Sequence, residues 1–333
     1  MNELILDEKQ ATIKLLKEFR SAGKLYTLTN FGRAESKRAA SDVEITTAWL
    51  YGTTDVGIEV VKDLKNLEVL WLSGPGITDI GMEHLKGLQD LRELDLCESK
   101  VTKVGLGKIA RLKKLATLNL NGTPVTDDAV EVLKTMRSLK VLNLNNTKIT
   151  DARMPELAEL ETLQTLHIQG ETQVTDRLIK AFREKGKRHV LSCFKIYYDP
   201  PPRAEADITY ADLASPAITD RGLIELGGLK NLTGISLGNA AVTDAGLATL
   251  KEFENLTSLN LAGTSVTGSG LRGFPYPLKF KSLGLSGTKL TARSLLEIHR
   301  FENLTSLDLR DLRFNIETYN QLQRDVPFCE IFW

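Results

Sequence analysis

The chain has 333 residues, more than one globular core usually holds, and its 43 basic residues balance its 43 acidic ones. A net charge of zero argues against a general electrostatic grip on nucleic acid or on an anionic membrane, and no apolar run approaches the roughly 18 residues that a membrane span needs. The opening MNELILDEKQ is acidic and lacks a signal-peptide apolar core, and Cys97, Cys193 and Cys329 form no CxxC pair, so a cytoplasmic chain with reduced thiols is expected unless an export signal was trimmed away.

Residues 16–24 (LKEFRSAGK) read as a helix, followed by a non-repeat strand or hairpin. From Leu67 onward the pattern L-x-x-L-x-L recurs. Its first leucines are Leu67, Leu91, Leu115, Leu139 and Leu163, each 24 residues from the last, and the same step returns at Leu232, Leu256, Phe280, Leu304 and Phe328. A fixed period in the twenties is the signature of a solenoid, whose units bury their apolar faces only against their neighbours.

In the unit 67–90, Val69 and Trp71 alternate with Leu70 and Leu72, the period of a strand, with the leucines inward and Val69 and Trp71 outward. Ile77 returns inward. Met82, Leu85 and Leu88 then recur as on one helix face, with Thr78 or Asp79 as its N-cap. The cap pair repeats at Thr126-Asp127, Thr150-Asp151, Thr175-Asp176, Thr219-Asp220 and Thr243-Asp244, while Lys103, Gly268 and Ala292 replace the aspartate. A second column, Thr123, Thr147, Thr264 and Thr288, places a hydroxyl where it is expected to bond backbone groups of neighbouring turns.

Two tandem copies are expected, 1–170 and 171–333. LKEFRSAGK is echoed by 179–187 (IKAFREKGK), and 45–50 (ITTAWL) by 208–213 (ITYADL). Between them, Tyr197, Tyr198 and Pro200-Pro201-Pro202 suggest either a break between two arcs or a loop bulging from one continuous arc.

Segments such as 139–154 (LKVLNLNNTKITDARM) and 232–247 (LTGISLGNAAVTDAGL) resemble the leucine-rich repeat family, most of all its bacterial variety with units L-x-x-L-x-L-x-x-T-x-[IV]-T-D-x-G-L. The resemblance covers nearly the whole chain. It implies an α/β leucine-rich-repeat solenoid, a horseshoe with parallel strands on the concave face and helices on the convex face. It also implies non-enzymatic recognition of a protein or peptide on the concave face.

That face carries the candidate site. The residue between the two core positions of each strand reads Trp49, Trp71, Asp95, Asn119, Asn143 and His167 in the first copy, and Asp212, Ser236, Asn260, Gly284, Asp308 and Phe332 in the second; Tyr51 and Tyr210 flank these columns. Outward tryptophans beside a tyrosine are binding-anchor residue types, with Asp95 and the asparagines as a polar rim. The competing reading folds the N-terminal helix or hairpin over Trp49 and Trp71 as a cap. The strand Phe328, Ile331, Phe332, Trp333 suggests a dimer edge, or a turn sealed by its own aromatics, so a monomer or an edge-mediated homodimer is expected. The alternative role is a scaffold arm of a larger assembly, engaging partners through the convex face or this edge.

No catalytic residue, metal site or cofactor is expected. Residues 268–273 (GSGLRG) match a dinucleotide-binding turn, but Gly270-Leu271 is the ordinary G-L of the repeat, and no acidic residue ends a second strand. His84, His167, His189 and His299 lack metal-like spacing, and strands ~4.8 Å apart put His167 roughly 15 Å from Asp95, too far for a catalytic pair.

Overall fold

A computed structural model describes residues 16–25, 31–32, 41–169, 174–194, 202–274 and 276–333. The chain divides into two compact units, Met1–His167 and Ile168–Trp333.

In the first unit a seven-stranded sheet runs in chain order: β1 (Phe31–Gly32), β2 (Thr47–Trp49), β3 (Val69–Trp71), β4 (Glu93–Asp95), β5 (Thr117–Asn119), β6 (Val141–Asn143) and β7 (Thr165–His167). β1 is antiparallel to β2 and every later pair is parallel. In the second unit β8 (Tyr210–Asp212), β9 (Gly234–Ser236), β10 (Ser258–Asn260), β11 (Ser282–Gly284), β12 (Ser306–Asp308) and β13 (Glu330–Phe332) form a six-stranded parallel sheet.

The leucine columns make the core. Leu70, Leu94, Leu118 and Leu142 pair in register across β3 to β6 and are fully buried, as are Leu72, Leu96, Leu120 and Leu144 one step on. Ile77, Met82, Leu85 and Leu88 close the unit from the other side, all fully buried.

The helical side is tighter than the sequence period suggests. Only Lys103–Ile109 and Val130–Thr135 are α-helices of six residues or more among the four units from Leu67, while Gly81–Leu85 and Met154–Glu159 are 3-10 turns. Strands stack ~4.8 Å apart and α-helices pack 8–10 Å apart, so a slimmer 3-10 turn brings the two sides closer to one spacing.

The Thr-Asp pairs resolve into two tasks. The threonine is the helix cap: Thr102, Thr219, Thr243 and Thr267 each accept a hydrogen bond from an N–H of their own first turn. The aspartate reaches into the next unit and accepts from both the N–H and the hydroxyl of the following threonine. Asp55 does this to Thr78, Asp79 to Thr102, Asp127 to Thr150, Asp176 to Thr219, Asp220 to Thr243 and Asp244 to Thr267, at 2.5–3.0 Å. In five of these six bridges the glycine of T-D-x-G gives that carboxylate clearance: a Cβ on Gly105 would lie 2.4 Å from Asp79 Oδ1, and one on Gly246 2.2 Å from Asp220 Oδ1, while Asp127 bonds Thr150 with Arg153 at the glycine position. Where Lys103 and Gly268 replace the aspartate, the corresponding next-unit positions hold Ala129 and Ser294 instead of glycine.

The column Thr123, Thr147, Thr264, Thr288 departs from expectation. Each hydroxyl donates to the carbonyl three residues back in its own unit (Leu120, Leu144, Leu261 and Leu285, at 2.6–2.8 Å) and not to a neighbouring turn. The turn itself is tight because a left-handed residue stands three positions after the strand in many units, as at Glu98, Gly122, Asn146, Asn239, Gly263 and Asp311.

In the second unit, helix Asp176–Glu184 buries Leu178, Ile179 and Phe182. Arg188 follows, 4% exposed. It forks onto Glu205 (2.9 and 2.7 Å) and donates to the Glu225 and Gly227 carbonyls (2.8 and 3.0 Å), tying the non-repeat segment to the repeats. The expected break at Tyr197, Tyr198, Pro200 and Pro201 lies outside the described residues.

Candidate functional site

Parallel register sets Trp49 opposite Trp71, then Asp95, Asn119, Asn143 and His167, as one outward row across β2 to β7. The alternation that buries Ala48, Leu70 and Leu94 leaves this row half-buried. Trp49 and Trp71 meet edge to face, ring centres 6.2 Å apart at 74°, and Tyr51 tilts against Trp71 at 6.4 Å and 55°. Tyr51 is 57% exposed. Such packing fixes the rings with respect to one another.

Two carboxylates border the cluster. Trp71 Nε1 donates to Glu93 Oε1 at 2.7 Å, a neighbour on the adjacent strand that sequence reading did not single out. Asp95 accepts from the Cys97 N–H and from Asn119 Nδ2, both at 2.8 Å. Burial, and secondarily the charge of Asp95, push the Tyr51 phenol above its ordinary range.

The polar residues of the row are committed locally. Asn119 Oδ1 accepts from the Asn121 N–H and Asn143 Oδ1 from the Asn145 N–H, each at 3.0 Å. Asn260 and Asp308 repeat this two-residue turn in the second unit. These side chains close the bend after their strands, and Asn119 spends its amide nitrogen on Asp95 as well. A recurring Asx residue two places before a turn was the sequence signal for it.

The second unit's face is different. Tyr210 lies flat across Gly234, where a Cβ would come 2.7 Å from its ring, and burial is the main cause raising its phenol's pKa. Asp212 is exposed beside it. Asp308 is clamped onto Arg310 (2.9 and 2.7 Å), which holds its carboxyl below the ordinary range. At β13, Phe328 is 92% exposed, Ile331 half-buried and Phe332 exposed, while Trp333 stacks on Tyr319 (4.6 Å) and Phe314 (5.7 Å). The structure therefore brings Trp49, Tyr51, Trp71 and Asp95 into one cluster, continued in register by Asn119, Asn143 and His167. Tyr210 with Asp212, and Phe328 with Ile331, Phe332 and Trp333, stand in the other unit.

Comparison with known proteins agrees with this architecture. The leucine rich repeat signature matches residues 65–125. The chain is similar in structure to an internalin of Listeria monocytogenes, at 19% identity and TM-score 0.54, over 99% of this chain and 98% of that one. It is also similar to a leucine-rich-repeat protein of Leptospira interrogans, at 17% identity and TM-score 0.44, over 86% and 89% of the two chains. A further match is the repeat ectodomain of an Arabidopsis thaliana membrane receptor kinase, at 15% identity and TM-score 0.43, over 85% of this chain and 37% of that one. No curated protein matches in sequence. The chain is a leucine-rich-repeat α/β solenoid, a scaffold that generally serves as a non-enzymatic binding module.

Proposed function

We propose that this leucine-rich-repeat protein binds a protein or peptide on the strand face of its first unit, without catalysing a reaction, and that Trp49, Tyr51 and Trp71 anchor the partner. The observation that carries this reading is the interlocked, outward-facing trio. Two of the chain's three tryptophans stand side by side on the face opposite the buried leucines, with a largely exposed tyrosine against them. Rigid aromatics of this kind supply large contact area at little entropic cost and dominate binding hot spots. Asp95, Asn119, Asn143 and His167 extend the surface as a polar strip.

The test is a pull-down comparing the natural chain with the Trp49→Ala/Trp71→Ala variant, with thermal unfolding as a check on folding. A partner lost by a folded variant supports the reading; an unchanged partner set removes it. The exposed Phe328 and Phe332 favour one second reading, a scaffold arm that engages partners through that edge. It predicts that Phe328→Ser/Phe332→Ser, and not the tryptophan variant, releases them.

A further inference from the structure

Resting on that reading, we propose that the aromatic trio receives a basic side chain, an arginine or lysine presented by an extended segment of the partner. Charge is sorted on this face. The chain as a whole has as many basic as acidic residues. Along the outward positions of β2 to β7, however, the acidic residues Glu93 and Asp95 stand without any lysine or arginine. Both flank Trp71: Glu93 is bonded to its indole and Asp95 is its register partner. Arg92, beside β4, already faces Glu68 at 3.8 Å.

Each carboxylate is held in place while keeping acceptor capacity. Glu93 uses Oε1 for the indole, and Asp95 spends one bond on each oxygen. A carboxylate offers about four lone-pair sites, so a guanidinium or ammonium finds acceptors beside the rings. Trp49 and Tyr51 both pack against Trp71, with ring centres 6.2 and 6.4 Å away, and a cation over a tryptophan face is attracted by the ring quadrupole. A neutral partner residue gains only its contact with the rings and an acidic one is repelled by the carboxylates, whereas a cation gains from both rings and carboxylates.

The experiment is a fluorescence titration of the full chain in a Trp333→Phe background, so that emission comes from Trp49 and Trp71. The probes are N-acetyl-arginine amide, N-acetyl-lysine amide and the neutral isostere N-acetyl-citrulline amide. A saturable response is expected for the cations, with citrulline weaker by roughly tenfold. Glu93→Gln/Asp95→Asn, which keeps an acceptor for the indole and for the Cys97 N–H, should erase the difference. Equal responses to arginine and citrulline, no saturable response, or a preference that survives the carboxylate variant would overturn the inference. The pull-down with the tryptophan variant is independent of this outcome, so the site can stand while its preference for a cation falls.

Discussion

Asp220 and Thr243, 23 residues apart, are joined by two hydrogen bonds: the aspartate accepts from the threonine's N–H at 2.8 Å and from its hydroxyl at 2.7 Å. The same bridge is made by Asp55, Asp79, Asp127, Asp176 and Asp244 to the threonine that follows each. Its geometry requires the small residue at Gly246, since a Cβ there would lie 2.2 Å from Asp220 Oδ1.

Asp220→Ala is expected to cost about 1–2 kcal/mol in urea unfolding, because the bonds are charge-assisted but partly solvated. Gly246→Ala should be destabilising in the natural chain and milder in the Asp220→Ala background. Strict additivity of the two changes would disprove the clearance argument.

Glu98 occupies a left-handed backbone position, φ 57°, that other units fill with glycine, asparagine or aspartate. Glu98→Gly should raise stability by about 1 kcal/mol, the relief of an L-residue held in that conformation. A lower unfolding midpoint would contradict this.

Glu205 should govern part of the acid limb of stability. Its burial disfavours the charge, but the fork of Arg188 outweighs it and holds the carboxyl below the ordinary glutamate range. A carboxyl depressed in the folded state contributes stability fully above its unfolded pKa of about 4.5 and loses it as pH falls through the lower folded value. Glu205→Gln should therefore destabilise at pH 7 by about 3 kcal/mol, the low end for breaking a buried ion pair because Glu205 keeps some solvent access. It should also flatten the loss below pH 4.5. The check is unfolding free energy measured from pH 7 downward.

Asn143 separates scaffold from contact. Its Oδ1 takes the Asn145 N–H, so Asn143→Asp should leave stability near the natural value and Asn143→Ala should cost about 1 kcal/mol. If Asn143→Ala leaves thermal unfolding unchanged, the turn-closing role is wrong.

The 24-residue spacing by itself determined the repeat, the leucine core and the row running from Trp71 to His167, with Trp49 joining 22 residues earlier through strand alternation, because alternation and a fixed period are local properties of the chain. Only the tertiary structure divided the labour of Thr and Asp. Both residue types suit an N-cap, and the deciding partner lies 23 residues away in the next unit. Likewise, Tyr51, two places after Trp49, and Tyr210, two places before Asp212, both flank the outward row; the first stays exposed against Trp71, and the second lies over its register partner Gly234, whose missing Cβ leaves room for the ring. Glu93 joined the cluster the same way, through an indole hydrogen bond across strands that no spacing in the chain announces.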